Sequence, residues 1–146
     1  MEQLILPSSG SVYLDANAMI YSAEKIDPYY TLLQPLWQAV KQSHIAVVSS
    51  ELLLLETLVK PIREENKVLE NIFREIFTSS EDIQLIPISK EILEQAAYLR
   101  ATVGLKPPDA IHAATGLFAH CSLFITNDAA FTRVKELPVA LLKDFL

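Results

Sequence analysis

Apolar residues in this chain fall in short, partly β-branched runs separated by stretches with helical spacing, and that alternation restricts the fold more than any other feature. Strand-like runs are read at residues 12–14, 45–48, 83–86, 123–126 and 139–142. Between them, a helix is expected from about Asn17. A second begins at Asp27-Pro28 and carries Leu33, Leu36, Trp37 and Val40. Ser49-Ser50 is expected to cap a helix over 52–59, closed by Pro61. Residues 64–77 form a strongly amphipathic stretch with Val68, Leu69, Ile72, Phe73, Ile76 and Phe77 expected inward. Ser89 opens a helix with Ile92, Ala96, Leu99 and Val103 on one stripe, ending at Gly104. Pro107-Pro108 starts a small-residue helix through Ala119. Short apolar strands alternating with helices predict an α/β fold with a parallel sheet covered on both faces. In such sheets ligands bind beyond the carboxyl ends of the strands.

Length and composition bound the rest. A chain of 146 residues suits one domain, here 1–146, and 51% hydrophobic residues supply a core. No run approaches the roughly 18 apolar residues of a membrane span. Met1-Glu2-Gln3 lacks the basic start of a secretory leader, so a cytoplasmic protein is expected. The one cysteine, Cys121, forms no internal disulfide and reads as a buried thiol. Gly10, Gly104 and Gly116 are too scattered for a phosphate-cradling loop, which excludes Walker and dinucleotide-binding sites. The histidines 44, 112 and 120 lack the spacing of a helical zinc site. His112 follows Asp109 by one turn and could line the cleft, but a structural or incidental histidine is the better reading.

The formal net charge is −6, from 12 Lys+Arg against 18 Asp+Glu. That balance suits an anionic substrate only where bound cations offset the carboxylates. Four acids invite that reading. Asp15 and Asp128 fall where strands end, and Asp109 lies in the first turn of a helix. Glu56 interrupts an apolar face made by Leu52, Leu53 and Val59. Each has a structural explanation: an Asx turn, a cap, a helix N-terminal charge, or an ion pair with Lys60. Together they are harder to dismiss. Two like charges about 4 Å apart repel by about 4 kcal/mol at an effective dielectric near 20. Converging acids therefore require protons or cations, and oxygen-only donors suit Mg²⁺ or Mn²⁺.

The same residues resemble a known family. Ser11-Val-Tyr-Leu-Asp15-Ala-Asn17 is similar to the opening motif of PIN-domain nucleases. Ser49-Ser50 followed by Glu56 is similar to the second motif. Pro108-Asp109-Ala-Ile-His-Ala-Ala114 resembles the third, and Thr126-Asn127-Asp128 before Phe131 the fourth. The likeness spans nearly the whole chain in the family's order and is greatest to VapC-type toxins. It implies a Rossmann-like three-layer α/β/α sandwich with a central parallel sheet. It further implies Mg²⁺- or Mn²⁺-dependent cleavage of RNA by a homodimer that pairs with an antitoxin protein. By position, Asp15, Glu56, Asp109 and Asp128 would hold the metal, with Asn17 and Thr126 orienting them and metal-bound water attacking. Lys60, Lys106 and Arg133 lie near the motifs as candidate phosphate contacts, although solvated surface charge suits each of them as well.

Other readings stay open at this point. A housekeeping RNA-processing nuclease and a catalytically idle interaction module share the scaffold. A haloacid-dehalogenase-type phosphatase requires an acid where Asn17 stands. A phospho-accepting receiver usually pairs acids near its N-terminus and places a lysine after a late strand.

Overall fold

The computed structural model describes residues 2–79 and 81–146. Five strands form one all-parallel sheet: β1 (Ser11–Leu14), β2 (Ala46–Ser50), β3 (Ile83–Ile86), β4 (Leu123–Thr126) and β5 (Val139–Leu141). Their order is β3-β2-β1-β4-β5. The chain thus builds outward from β1 on one side, then returns to build outward on the other. The crevice between β1 and β4 is the point where strand order reverses. In doubly wound sheets that crevice, at the carboxyl ends, is where ligands bind.

Parallel strands need crossovers, and helices supply them. These are α1 (Ala16–Ala23), α2 (Tyr29–Lys41), α3 (Leu52–Arg63), α4 (Lys67–Thr78), α5 (Lys90–Val103) and α6 (Pro107–Phe118). Successive strand residues point to opposite faces, and the two cores separate accordingly. Val12, Leu14, Val47 and Ile125 join Met19, Leu33 and Leu36 of α1 and α2 in one core. Tyr13, Val48 and Phe124 join Ile92, Leu99 and the alanines of α5 and α6 in the other. The sheet is therefore the middle of three layers, as expected from the alternation of elements.

Local signals set most helix ends. Ser89 Oγ accepts from Ile92 N, and Gly104 closes α5 in the left-handed region at φ 76°. Asp27 Oδ1 accepts from Thr31 N at 3.0 Å beside Pro28, opening α2. Ser50 Oγ accepts from Leu52 N at 3.1 Å, opening α3. Three expectations are corrected. Pro61 lies inside α3, which runs on to Arg63. A proline removes one donor, and so near the helix end the backbone bonds from Glu64 N to Lys60 O and from Asn66 N to Pro61 O close the turn instead. The expected stretch 64–77 consequently begins only at Lys67, after Glu65 turns the chain at φ 53° and Asn66 caps α4 through Leu69 N. On α4, Phe73 is buried, but Val68 is 73% and Ile72 38% exposed, not inward. No helix among the described residues is long and apolar enough to cross a membrane.

Candidate active site

β1 and β4 lie in register, Leu14 beside Ile125, so the residues that follow them emerge side by side. Asp15 caps α1, its Oδ1 accepting from Ala18 N at 3.1 Å. Its Oδ2 accepts from Thr126 Oγ1 at 2.5 Å. The Thr126 oxygen in turn accepts from Asp128 N at 3.0 Å. One buried hydroxyl thus couples the acid after β1 to the loop carrying the acid after β4. Asp15 is 6% exposed, and burial raises its pKa despite the two hydrogen bonds, with Glu56 adding to the rise. Asp128 is exposed and caps the following 3₁₀ turn, its Oδ1 accepting from Ala130 N at 2.9 Å.

Asp109 stands in the first turn of α6, which Pro107 and Pro108 start. It is half-buried and takes no hydrogen bond among the described residues. Its pKa is raised, first by burial, then by Asp128 and, more weakly, Glu56; His112 and Lys106 offset part of this. The loop after β4 and α3 therefore each bring an acid near enough to influence Asp109 on α6.

Glu56, on α3, does not pair with Lys60. It accepts from His112 Nε2 at 2.5 Å. His112 is 2% exposed and lies on α6 one turn after Asp109. Its Nδ1 shares a 2.6 Å hydrogen bond with the hydroxyl of Tyr13, a fully buried residue of β1. This chain of three side chains was missed by sequence reasoning, which took His112 as structural. A signal existed: a buried tyrosine inside an apolar strand needs a partner for its hydroxyl.

Of the other predicted residues, Asn17 is exposed on the first turn of α1 and its side chain bonds none of the acids. Lys60, Lys106 and Arg133 are all exposed. Lys60 lies one turn beyond Glu56, Lys106 is the residue before α6, and Arg133 ends the turn that Asp128 caps.

Among the described residues, no three His, Cys, Asp or Glu side chains close into a ready-made metal cage. The donor set nevertheless fits a small, hard cation. It offers carboxylate oxygens, and burial with neighbouring acids disfavours the charge on Asp15 and Asp109. Mg²⁺ typically takes one or two carboxylates and keeps its waters, so it needs no cage.

The family model described as PIN domain matches residues 12–137. No curated protein matches. Among solved structures, the VapBC2 complex of Rickettsia felis, bound to a DNA fragment from its promoter, is similar with a TM-score of 0.67 at 18% identity. That match covers 90% of this chain and 98% of the other. A toxin–antitoxin complex from Klebsiella pneumoniae matches with a TM-score of 0.64 at 22% identity, covering 90% and 97%. FitAcB from Neisseria gonorrhoeae matches with a TM-score of 0.68 at 15% identity, covering 90% and 98%. At these identities the structural likeness establishes the fold.

Proposed function

Because the chain belongs to the PIN-domain family, a family of nucleases, we propose that it is a divalent-metal-dependent endoribonuclease and the toxin of a toxin–antitoxin pair. Membership removes the receiver and phosphatase readings. One arrangement carries the proposal: Thr126 joins Asp15 to the Asp128 loop at the crevice where strand order reverses, and the Tyr13–His112–Glu56 contacts tie α3 and α6, with Asp109, to the same central strand.

Asp15, Glu56, Asp109 and Asp128 would hold Mg²⁺ or Mn²⁺. Such an ion, when bound, supplies Lewis acidity that makes water a better nucleophile and screens the phosphoryl oxygens. The chain's own contribution is placement. Thr126 fixes Asp15 by its hydroxyl and the Asp128 loop by its lone pair. Ala18 N holds the other Asp15 oxygen, so that carboxylate has little freedom to rotate. Thr126 would thus orient the acids at this end, with Asn17 on the first turn of α1 beside them in sequence. Lys60, Lys106 and Arg133 are the candidate phosphate contacts at the rim, and a cytoplasmic RNA is the substrate we assign.

The toxin assignment draws on the similar Klebsiella pneumoniae structure, a toxin–antitoxin complex, and on exposed apolar side chains of α3 and α4. Val59 and Ile62 of α3 and Val68 and Ile72 of α4 are each more than a third exposed on two helices that pack together. A second copy of this chain and an antitoxin are the partners we assign.

With Mg²⁺ or Mn²⁺, the purified chain should cut RNA. A chelator should abolish cutting, and Asp15→Asn should lower it about 100-fold or more. Expressed without a partner, the chain should arrest growth, and the same substitution should relieve the arrest. Full activity in Asp15→Asn, or none in the metal-supplemented protein, would overturn the reading.

A further inference from the structure

We propose that His112 is a positioning residue for Glu56, holding it through a buried Tyr13–His112–Glu56 hydrogen-bond chain; the inference rests on the nuclease reading of the four acids.

Glu56 has little else to fix it. It emerges from a largely apolar stretch of α3, forms no bridge with Lys60, and its side chain remains 25% exposed. The bond from His112 Nε2 to Oε1 is its hydrogen bond to the protein among the described residues, leaving Oε2 without a protein partner. A carboxylate only accepts, so Nε2 carries the proton that faces it. With one oxygen tied back in this way, the other is left to meet a cation.

The imidazole is itself immobilised. It is 2% exposed, sits edge-on to Tyr13 with ring centroids 5.7 Å apart at 80°, and bonds the Tyr13 hydroxyl through Nδ1. Tyr13 belongs to the central strand and stacks on Phe124 of β4 at 4.6 Å and 4°. The hydroxyls of Ser49 and Thr115 stand beside it. Each spends its own proton on a carbonyl, Leu14 O and Ile111 O respectively, both at 2.6 Å. Both can therefore accept from Tyr13. Whichever way the proton lies between Tyr13 and His112, the Nε2 proton still faces Glu56. The sheet thereby fixes the tyrosine, the tyrosine fixes the ring, and the ring fixes the acid. Partners that orient a metal-binding side chain typically contribute 10–100-fold in affinity or activity.

The hydroxyls of Ser49 and Thr115 remain near Tyr13 in His112→Leu, and a thermal melt should show that variant folded. Mn²⁺ binding to the full chain, followed by electron paramagnetic resonance, should weaken about 10–100-fold in His112→Leu. His112→Gln keeps an N–H donor and should recover most of the loss. Tyr13→Phe keeps the ring stack, removes only the hydroxyl, and should fall between. In RNA cleavage, kcat should drop while KM for RNA holds. Adding His112→Leu to Glu56→Gln should cost little more than Glu56→Gln alone, because the pair acts as a unit. Wild-type affinity in His112→Leu, or a Gln variant as weak as the Leu one, would overturn the positioning role. Should His112→Leu fail to fold, unchanged Mn²⁺ affinity in Tyr13→Phe would overturn it instead. A wild-type chain that binds no Mn²⁺ would overturn the metal-site reading, and this inference with it.

Discussion

Asp109 is half-buried near Asp128 and Glu56 and has no donor of its own, so its ionised form is held at a cost in the metal-free fold. Its folded pKa lies above the ordinary 3.8, which means the folded chain binds that proton more tightly than the unfolded chain does. The contribution to stability is complete below 3.8 and is lost as pH rises from there through the raised folded value. Asp109→Asn should therefore raise the metal-free Tm at neutral pH. A gain of about 2–4 °C for each kcal/mol relieved is expected for a domain of this size, and solvent screening of this partly exposed group keeps it near the low end. The difference should vanish in acid, and the variant should lose the Tm rise that Mg²⁺ gives the wild type. Thermal melts at several pH values with and without Mg²⁺ check both; a lower Tm at neutral pH would show that Asp109 is already compensated. At this scale the sequence was readable where the signal is local. Asp15 before a helix and Thr126 two residues before Asp128 both mark the local hydrogen bonds that they form. Glu56 stands out on its apolar face, but its link through His112 to Tyr13 does not, because those contacts join positions 56 and 99 apart.

The helix that carries Asp109 and His112 packs its small residues against the other core and the sheet. Ala110, Ala113 and Ala114 are fully buried, and a Cβ added at Gly116 would meet the Phe124 ring at 2.9 Å and Leu137 Cδ1 at 3.3 Å. The Phe124 ring is itself clamped between Tyr13 and Phe131 and has little room to give. Gly116→Ala should thus force α6 outward, with an overpacking cost of about 1–3 kcal/mol that outweighs the better helix propensity of alanine. Chemical denaturation should show the loss, and RNA cleavage should fall with it, since Asp109 and His112 ride on the same helix. Unchanged stability would mean that the aromatic stack yields. The parallel sheet and its helices were legible from the alternation of short strands with capped, striped helices, and Ser89 and Gly104 mark the ends of α5 as expected. What escaped was the break near Glu65 and the outward face of α4. Val68 and Ile72 stand at helical spacing with Ile76, which packs on the core, so periodicity cannot tell a residue that covers a core from one that waits for a partner.

Taken as a whole, the molecule keeps its acids at the carboxyl edge of the sheet and an apolar surface on the α3–α4 pair. A chain with net charge −6 repels its own copies, so association needs a contact in which apolar burial outweighs charge. Ile62 at 50% and Val68 at 73% exposure lie on that pair of helices, on neither the β1–β4 crevice nor the chain joining Tyr13 to Glu56. In a twofold dimer the same patch meets itself, and an acid introduced there in one copy meets its own mate or the mate's neighbours in the other. Ile62→Glu with Val68→Glu should accordingly weaken self-association by tenfold or more, a change of about 1.4 kcal/mol, while exposed positions leave the fold intact. Sedimentation equilibrium over a range of concentrations reads the constant directly. A wild type that stays monomeric at every concentration would remove the second copy from this face and leave it to the antitoxin. A dimer equally strong in the double variant would place the contact elsewhere on the molecule.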